Sequence, residues 1–256
     1  MRKLPVIKGR TFGSGTPVVC VPIVEKDKDS IIAEAKRLVS IGVEAIEWRV
    51  DLFENYSSPN AIREVLAGLK PVVKDTILMF TYRTRPQGGN GEYRKEMIGE
   101  INMVAAESGV VDIVDQEYFA SGRNLRSIRA IQKLGVLVLV SHHDFDETPD
   151  AGVIRMLLEE EYESGADIVK LALWPNSVDD VLTLLSETAY FHENHPDIPL
   201  ITMSMGPLGS ISRVTGETFG SCLTFGAGLA ASGPGQLPED KLRQLLKLIH
   251  ESMYAE

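Results

Sequence analysis

Eight short apolar runs punctuate the chain: VVCVPIV (18–24), AIEWRVDLF (45–53), TILMFTYRT (76–84), VVDIVDQEYF (110–119), GVLVLVSHHDF (135–145), DIVKLALWP (167–175), IPLITMSMG (198–206) and SCLTFGAG (221–228). They are rich in β-branched and aromatic residues and read as strands buried on both faces of a parallel sheet. The intervening segments carry apolar residues at helical spacing. DSIIAEAKRLVSIG places Ile31, Ile32, Ala35, Leu38 and Val39 on one face, with Asp29 or Ser30 as cap and Gly42 as stop. KEMIGEINMVAAESG does the same with Met97, Ile98, Ile101 and Val104. Ser177 is placed to cap the helix of NSVDDVLTLLSETAYFHEN, and Pro238 falls in the first turn of LPEDKLRQLLKLIHESM.

Eight strand–helix units in this length, with no linker or low-complexity stretch, predict an α/β fold. The expected architecture is a (β/α)8 TIM barrel formed by residues 1–256 as a single domain. No G-x-G-x-x-G follows the first strand, which weighs against an open dinucleotide-binding sheet. LPVIKGRTFGSGTP (4–17) predicts a short hairpin ahead of the barrel.

Composition narrows the function. Of 256 residues 44% are hydrophobic and 24% charged, an ordinary globular balance, and the net charge of −10 argues against holding nucleic acid by bulk charge. No apolar run approaches the ~20 residues that span a bilayer, so no membrane association is expected. The first residues have no signal-peptide pattern, and Cys20 and Cys222 lie in apolar runs without metal-site spacing. These features predict a cytoplasmic protein with no metal and two reduced thiols, brought onto neighbouring strands by barrel closure.

In such barrels the site lies at the carboxyl ends of the strands. Polar or sulfur-bearing residues gather there on consecutive runs: Glu47, Arg49 and Asp51, then Arg83, Glu117, His142, His143 and Asp144, Lys170, and Met203 with Met205. Lys170 stands out, because burying an ammonium costs several kcal/mol unless it is paired or neutral. One account pairs it with a barrel carboxylate such as Glu47 or Glu117. The other makes it a nucleophile, its pKa depressed by apolar surroundings and nearby arginines. A neutral amine condenses with a ketone to an imine, which acidifies the adjacent carbon, and His143 is then the natural acid/base. Rim arginines suit a carboxylate or phosphate.

The succession EWRVD (47–51), FTYRT (80–84), SHHDF (141–145), DIVKLALWP, ITMSMGPLGSISR (201–213), GETFGSCLTFG (216–226) and SGPGQ (232–236) resembles the type I 3-dehydroquinate dehydratases of the shikimate pathway. The resemblance implies a cofactor-independent homodimer that dehydrates 3-dehydroquinate to 3-dehydroshikimate, in aromatic biosynthesis or quinate breakdown. By matching position it implies Lys170 as the Schiff-base residue and His143 as proton donor and acceptor. Arg213 is implied to hold the substrate carboxylate. Glu47, Arg49 and Arg83 would bind hydroxyls and order the lysine's surroundings. Ser232 and Gln236 would close over the substrate, and Met203, Met205 and Phe225 would line an apolar wall. GPLGSIS, leading to Arg213, suits a mobile lid.

Three positions depart from the family. Gln87 stands where a glutamate normally supports the histidine, and His142 where asparagine is common. Pro22 replaces a serine found in some members. Gln87 can orient His143 but cannot stabilise its cation, which predicts slower turnover, with Glu92 as a nearby substitute. The alternative readings are an aldolase-like lyase sharing the imine, and a non-catalytic sensor of shikimate-pathway ligands.

Overall fold

Alternation of apolar and polar residues separates the two faces of every barrel strand, and so builds two cores instead of one. The computed structural model describes residues 3–119 and 121–255. Its eight parallel strands are β3 (Val18–Ile23), β4 (Ala45–Arg49), β5 (Ile77–Thr81), β6 (Ile113–Glu117), β7 (Leu137–Asp144), β8 (Ile168–Leu173), β9 (Leu200–Ser204) and β10 (Leu223–Phe225). They pair in chain order, with β10 beside β3. The β9–β10 seam is carried by a Leu200–Ser221 bridge and by the Cys222 amide on the Leu200 carbonyl at 2.8 Å. The expected barrel is therefore present, nearly closed, in one domain.

Outward-facing residues such as Ile46, Trp48, Leu78, Phe80, Val169 and Leu171 pack under the helices. Inward-facing Val18, Cys20, Ala45, Met79, Ile113, Leu139 and Ile168 fill the barrel interior. The helices are α1 (Lys28–Ser40), α2 (Pro59–Leu69), α3 (Lys95–Glu107), α4 (Leu125–Gln132), α5 (Ala151–Glu163), α6 (Val178–Asn194), the short α7 (Gly216–Phe219) and α8 (Glu239–Met253). Ser177 caps α6 as expected and forms a reciprocal capping box with Asp180. Two boundaries differ from expectation. The cap of α1 is Asp27, not Asp29 or Ser30, because its carboxylate reaches the Ser30 amide at 2.9 Å. Pro238 is itself the cap of α8, its carbonyl accepting from Leu242.

The N-terminal hairpin pairs β1 (Val6–Ile7) with β2 (Arg10–Thr11). Lys8 and Gly9 at its turn both have positive φ, as a type I′ connection requires. Cys20 and Cys222 are buried and free. Burial pushes both thiols up, Cys222 to about 12, so both stay protonated. Among the described residues no helix is long and apolar enough to cross a membrane.

Candidate active site

The strands are shorter than their apolar runs, and the difference builds the site. Arg83 lies past the end of β5, and the chain beyond β4 turns at once into a 3-10 helix (Val50–Leu52). Side-chain carboxylates replace the lost ladder there. Glu117 accepts from the Thr84 amide at 2.8 Å and the Thr84 hydroxyl at 2.7 Å, while Asp51 accepts from the amides of Arg83 and Asn90.

These ends surround a cavity of about 490 Å³, counting its open mouth. Every residue assigned to the site from the sequence lines it: Lys170, His143, Gln87, Glu47, Arg49, Arg83, Arg213, Ser232, Gln236, Met203 and Phe225, together with Met205. Phe145, Ala172, Gly88, Gly233 and Pro234 complete the wall. Pro22 is buried on β3 beside Glu47 and is not part of it.

Lys170 is 3% exposed, between inward-facing Ile168 and Ala172. Its Nζ lies 3.2 Å from Oδ2 of Asp115 and 4.6 Å from the centre of the Phe225 ring. The carboxylate partner is thus Asp115, rather than Glu47 or Glu117. Asp115 also takes Arg83 at 2.6 Å and the Ser141 hydroxyl at 2.7 Å. Burial alone would raise the Asp115 pKa, but Arg83 and Lys170 more than offset this and hold it below the usual range. Arg83 reaches Glu117 as well, at 3.1 Å, and Arg49 makes a bidentate pair with Asp51 at 2.8 and 2.9 Å. Glu47 accepts from the Thr81 hydroxyl at 2.8 Å and has no cation partner among the described residues.

Behind the barrel wall, Glu161 of α5 is fully buried and accepts from the Lys170 backbone amide at 3.1 Å. Among the described residues its other oxygen has no hydrogen-bond partner, and burial pushes its pKa well up. Asp115, Ser141 and Glu161 were missed in the sequence. For Asp115 the signal existed: it stands two residues before Glu117 and therefore on the same strand face.

Arg213 differs from the other two arginines. It is 3% exposed, yet among the described residues its only hydrogen-bond partners are the Pro234 carbonyl at 2.7 Å and the Met203 sulfur at 3.8 Å. Its Nε has none, and burial lowers its pKa to about 10. The segment before it, expected to be a lid, is packed as a 3-10 helix (Leu208–Arg213), with Ser212 Oγ accepting from the Ser204 amide at 2.9 Å. A Cβ at Gly209 would have no room against the Ser204 carbonyl. Ser232, Gly233, Pro234 and Gln236 also line the cavity, in a turn held by Ser232–Gln236 bonds of 2.9 and 3.0 Å.

His143 sits on β7 beside Ala172 of β8. Gln87, at the end of a 3-10 turn (Arg85–Gln87), accepts from its backbone amide at 2.9 Å and lies 3.1 Å from its Nδ1. Burial, then Arg83 and Lys170, lowers the His143 pKa well below 6.5, which keeps the ring neutral at pH 7. Glu92 does not reach the ring; it pairs with Arg94 on the surface.

Fold and cavity together define a (β/α)8-barrel protein with an interior amine, a neutral imidazole and one unpaired cation at the carboxyl ends of its strands. The family described as type I 3-dehydroquinase matches residues 19–253, and the chain belongs to it. It is 39% identical to the 3-dehydroquinate dehydratase of Clostridioides difficile over 99% of this chain and all of that protein. A crystal structure of the Clostridium difficile type I enzyme with covalently modified comenic acid superimposes with a TM-score of 0.93, at 40% identity and 98% coverage of both chains. The 3-dehydroquinate dehydratase of Geobacillus kaustophilus gives 0.90 at 31% identity, covering 99% of this chain and 98% of that one.

Proposed function

We propose that this protein dehydrates 3-dehydroquinate to 3-dehydroshikimate through an imine on Lys170. The observation that carries the reading is one cavity holding a buried amine, a neutral histidine and the unpaired Arg213. Arg213 takes the substrate carboxylate, the one anion the cavity lacks. Glu47, Arg49 and Arg83 take hydroxyls, and Ser232 and Gln236 cover the ring.

The amine, once deprotonated, adds to the ketone, and loss of water gives the iminium, for which Asp115 is the counter-ion. The iminium acidifies the neighbouring carbon, and Nε2 of His143 removes its proton to leave an enamine. The enamine electrons expel the β-hydroxyl, which takes that proton from His143 and departs as water. Hydrolysis of the conjugated iminium returns the amine and the enone, so the net change is loss of one water.

Borohydride with 3-dehydroquinate should trap one adduct on Lys170, read by peptide mass, and Lys170→Ala should abolish both adduct and enone absorbance while the circular dichroism is unchanged. An adduct on another lysine, or turnover without Lys170, would sink the mechanism. A carbon–carbon cleavage product would favour the aldolase alternative, and binding without turnover the sensor. A homodimer and a cytoplasmic location go with this reading, the former measured by sedimentation velocity.

A further inference from the structure

Gln87 sits between two imidazoles. Its Oε1 accepts the His143 backbone N–H at 2.9 Å and lies 3.1 Å from Nδ1 of that ring, while its Nε2 lies 3.2 Å from Nδ1 of His142. A peptide N–H can only donate, so the end of the amide facing His143 must be the oxygen. An amide oxygen has no proton to give, so Nδ1 of His143 carries one and its Nε2 is bare. The other end of the amide is purely a donor. Nδ1 of His142 must therefore be the bare nitrogen of that ring, with the proton on its Nε2.

We propose that His142 is a positioning residue: with the His143 peptide N–H holding the oxygen end of the Gln87 amide, the His142 Nδ1 lone pair holds the nitrogen end, and the two together fix the orientation that keeps the His143 proton on Nδ1 and its Nε2 free. This rests on the function proposed above, in which that Nε2 takes the substrate proton. A glutamine gains from this second anchor, at the end the His143 peptide N–H does not reach, because its two ends are chemically opposite. With the amide turned over, His143 Nδ1 would face a donor and the proton would move to Nε2, where the base must be empty. The ring of His142 is held in place edge-on to Phe119, with centroids 5.1 Å apart at 78°. His142→Phe therefore keeps a ring in that contact and removes the acceptor.

The test begins with the full, unsubstituted chain carrying 15N-labelled histidine. At about pH 8, where histidines are mostly neutral, the ring spectra should show His143 protonated on Nδ1 and His142 on Nε2. A His143 proton on Nε2, or a His142 proton on Nδ1, would overturn the proposal. His142→Phe should lower kcat about tenfold, with KM within about twofold, and move His143 toward the Nε2–H form. Adding Gln87→Glu, whose two oxygens are equivalent, should restore both kcat and the Nδ1–H signal. An unchanged kcat in His142→Phe, or a loss that Gln87→Glu does not repair, would count against it, because packing alone cannot be rescued from position 87. The tautomer signals do not depend on turnover. A chain that failed to dehydrate 3-dehydroquinate would thus defeat the functional reading and leave this one decided on its own spectrum.

Discussion

Lys170 on the floor of the cavity and Arg213 at its rim are both cations, each 3% exposed, but they are held in opposite ways. The floor is a closed network in which Lys170, Arg83, Ser141 and Glu117 are joined through Asp115 and Arg83 by contacts of 2.6 to 3.2 Å. At the rim, Arg213 has a carbonyl and a sulfur for company. A buried charge with its counter-ion is a finished structure, whereas one without is a standing cost that a ligand can relieve. The contrast teaches which residues hold the barrel together and which wait for a substrate.

Substitutions should separate the two regions by what they damage. Asp115→Asn strips the floor of the carboxylate shared by Arg83 and Lys170, and should lower folding stability by about 3–5 kcal/mol. A drop in the urea midpoint with an unchanged m-value would register it, and a midpoint equal to that of the native chain would break the distinction. Arg213→Gln should leave stability equal or higher. It should raise KM roughly 10- to 150-fold, the worth of about 1.5–3 kcal/mol for a hydrogen bond to a charged group. A destabilised Arg213→Gln with normal KM would reverse the assignment.

A pH-dependent effect comes from behind the floor, at Glu161. Its folded pKa is raised by burial, so its share of stability is full below the unfolded value of about 4.3 and is lost as pH climbs through the folded value. Its slope cannot exceed about 1.4 kcal/mol per pH unit. Glu161→Gln keeps an acceptor for the Lys170 amide and should remove that slope from stability measured across pH 5–9. A slope that persists would mean the carboxylate is ionised in the fold.

Much of this could be read in the chain, for reasons that differ by residue. Continuous apolar runs separated by helical spacing require a covered parallel sheet, and the barrel followed. Lys170 was conspicuous because a single ammonium disrupts an apolar run. Asp115 escaped notice because it lies in a run already interrupted by acids, where only the two-residue spacing to Glu117 marked it as inward-facing. The caps of α1 and α8 were displaced because a cap is decided by which oxygen reaches which amide, a matter of ångströms. Gln87 and His142 read as separate departures in the sequence. Only the polarity of their hydrogen bond joins them. The stretch before Arg213 looked flexible for its glycines, yet Gly209 is where it is because the chain passes tightly over the Ser204 carbonyl.

One detail of the floor reaches beyond the chemistry of the lysine. Arg49, Arg83 and Lys170 are matched by Asp51, Asp115 and Glu117, which leaves Glu47 over as a carboxylate answered only by a hydroxyl. Arg213 is the cation left over in the same lining. The cavity lining accordingly carries one spare charge of each sign. A small molecule with one acid group and several hydroxyls can answer both, the acid at Arg213 and a hydroxyl at Glu47, whereas a dianion of the same size has a second charge for which no spare cation is left.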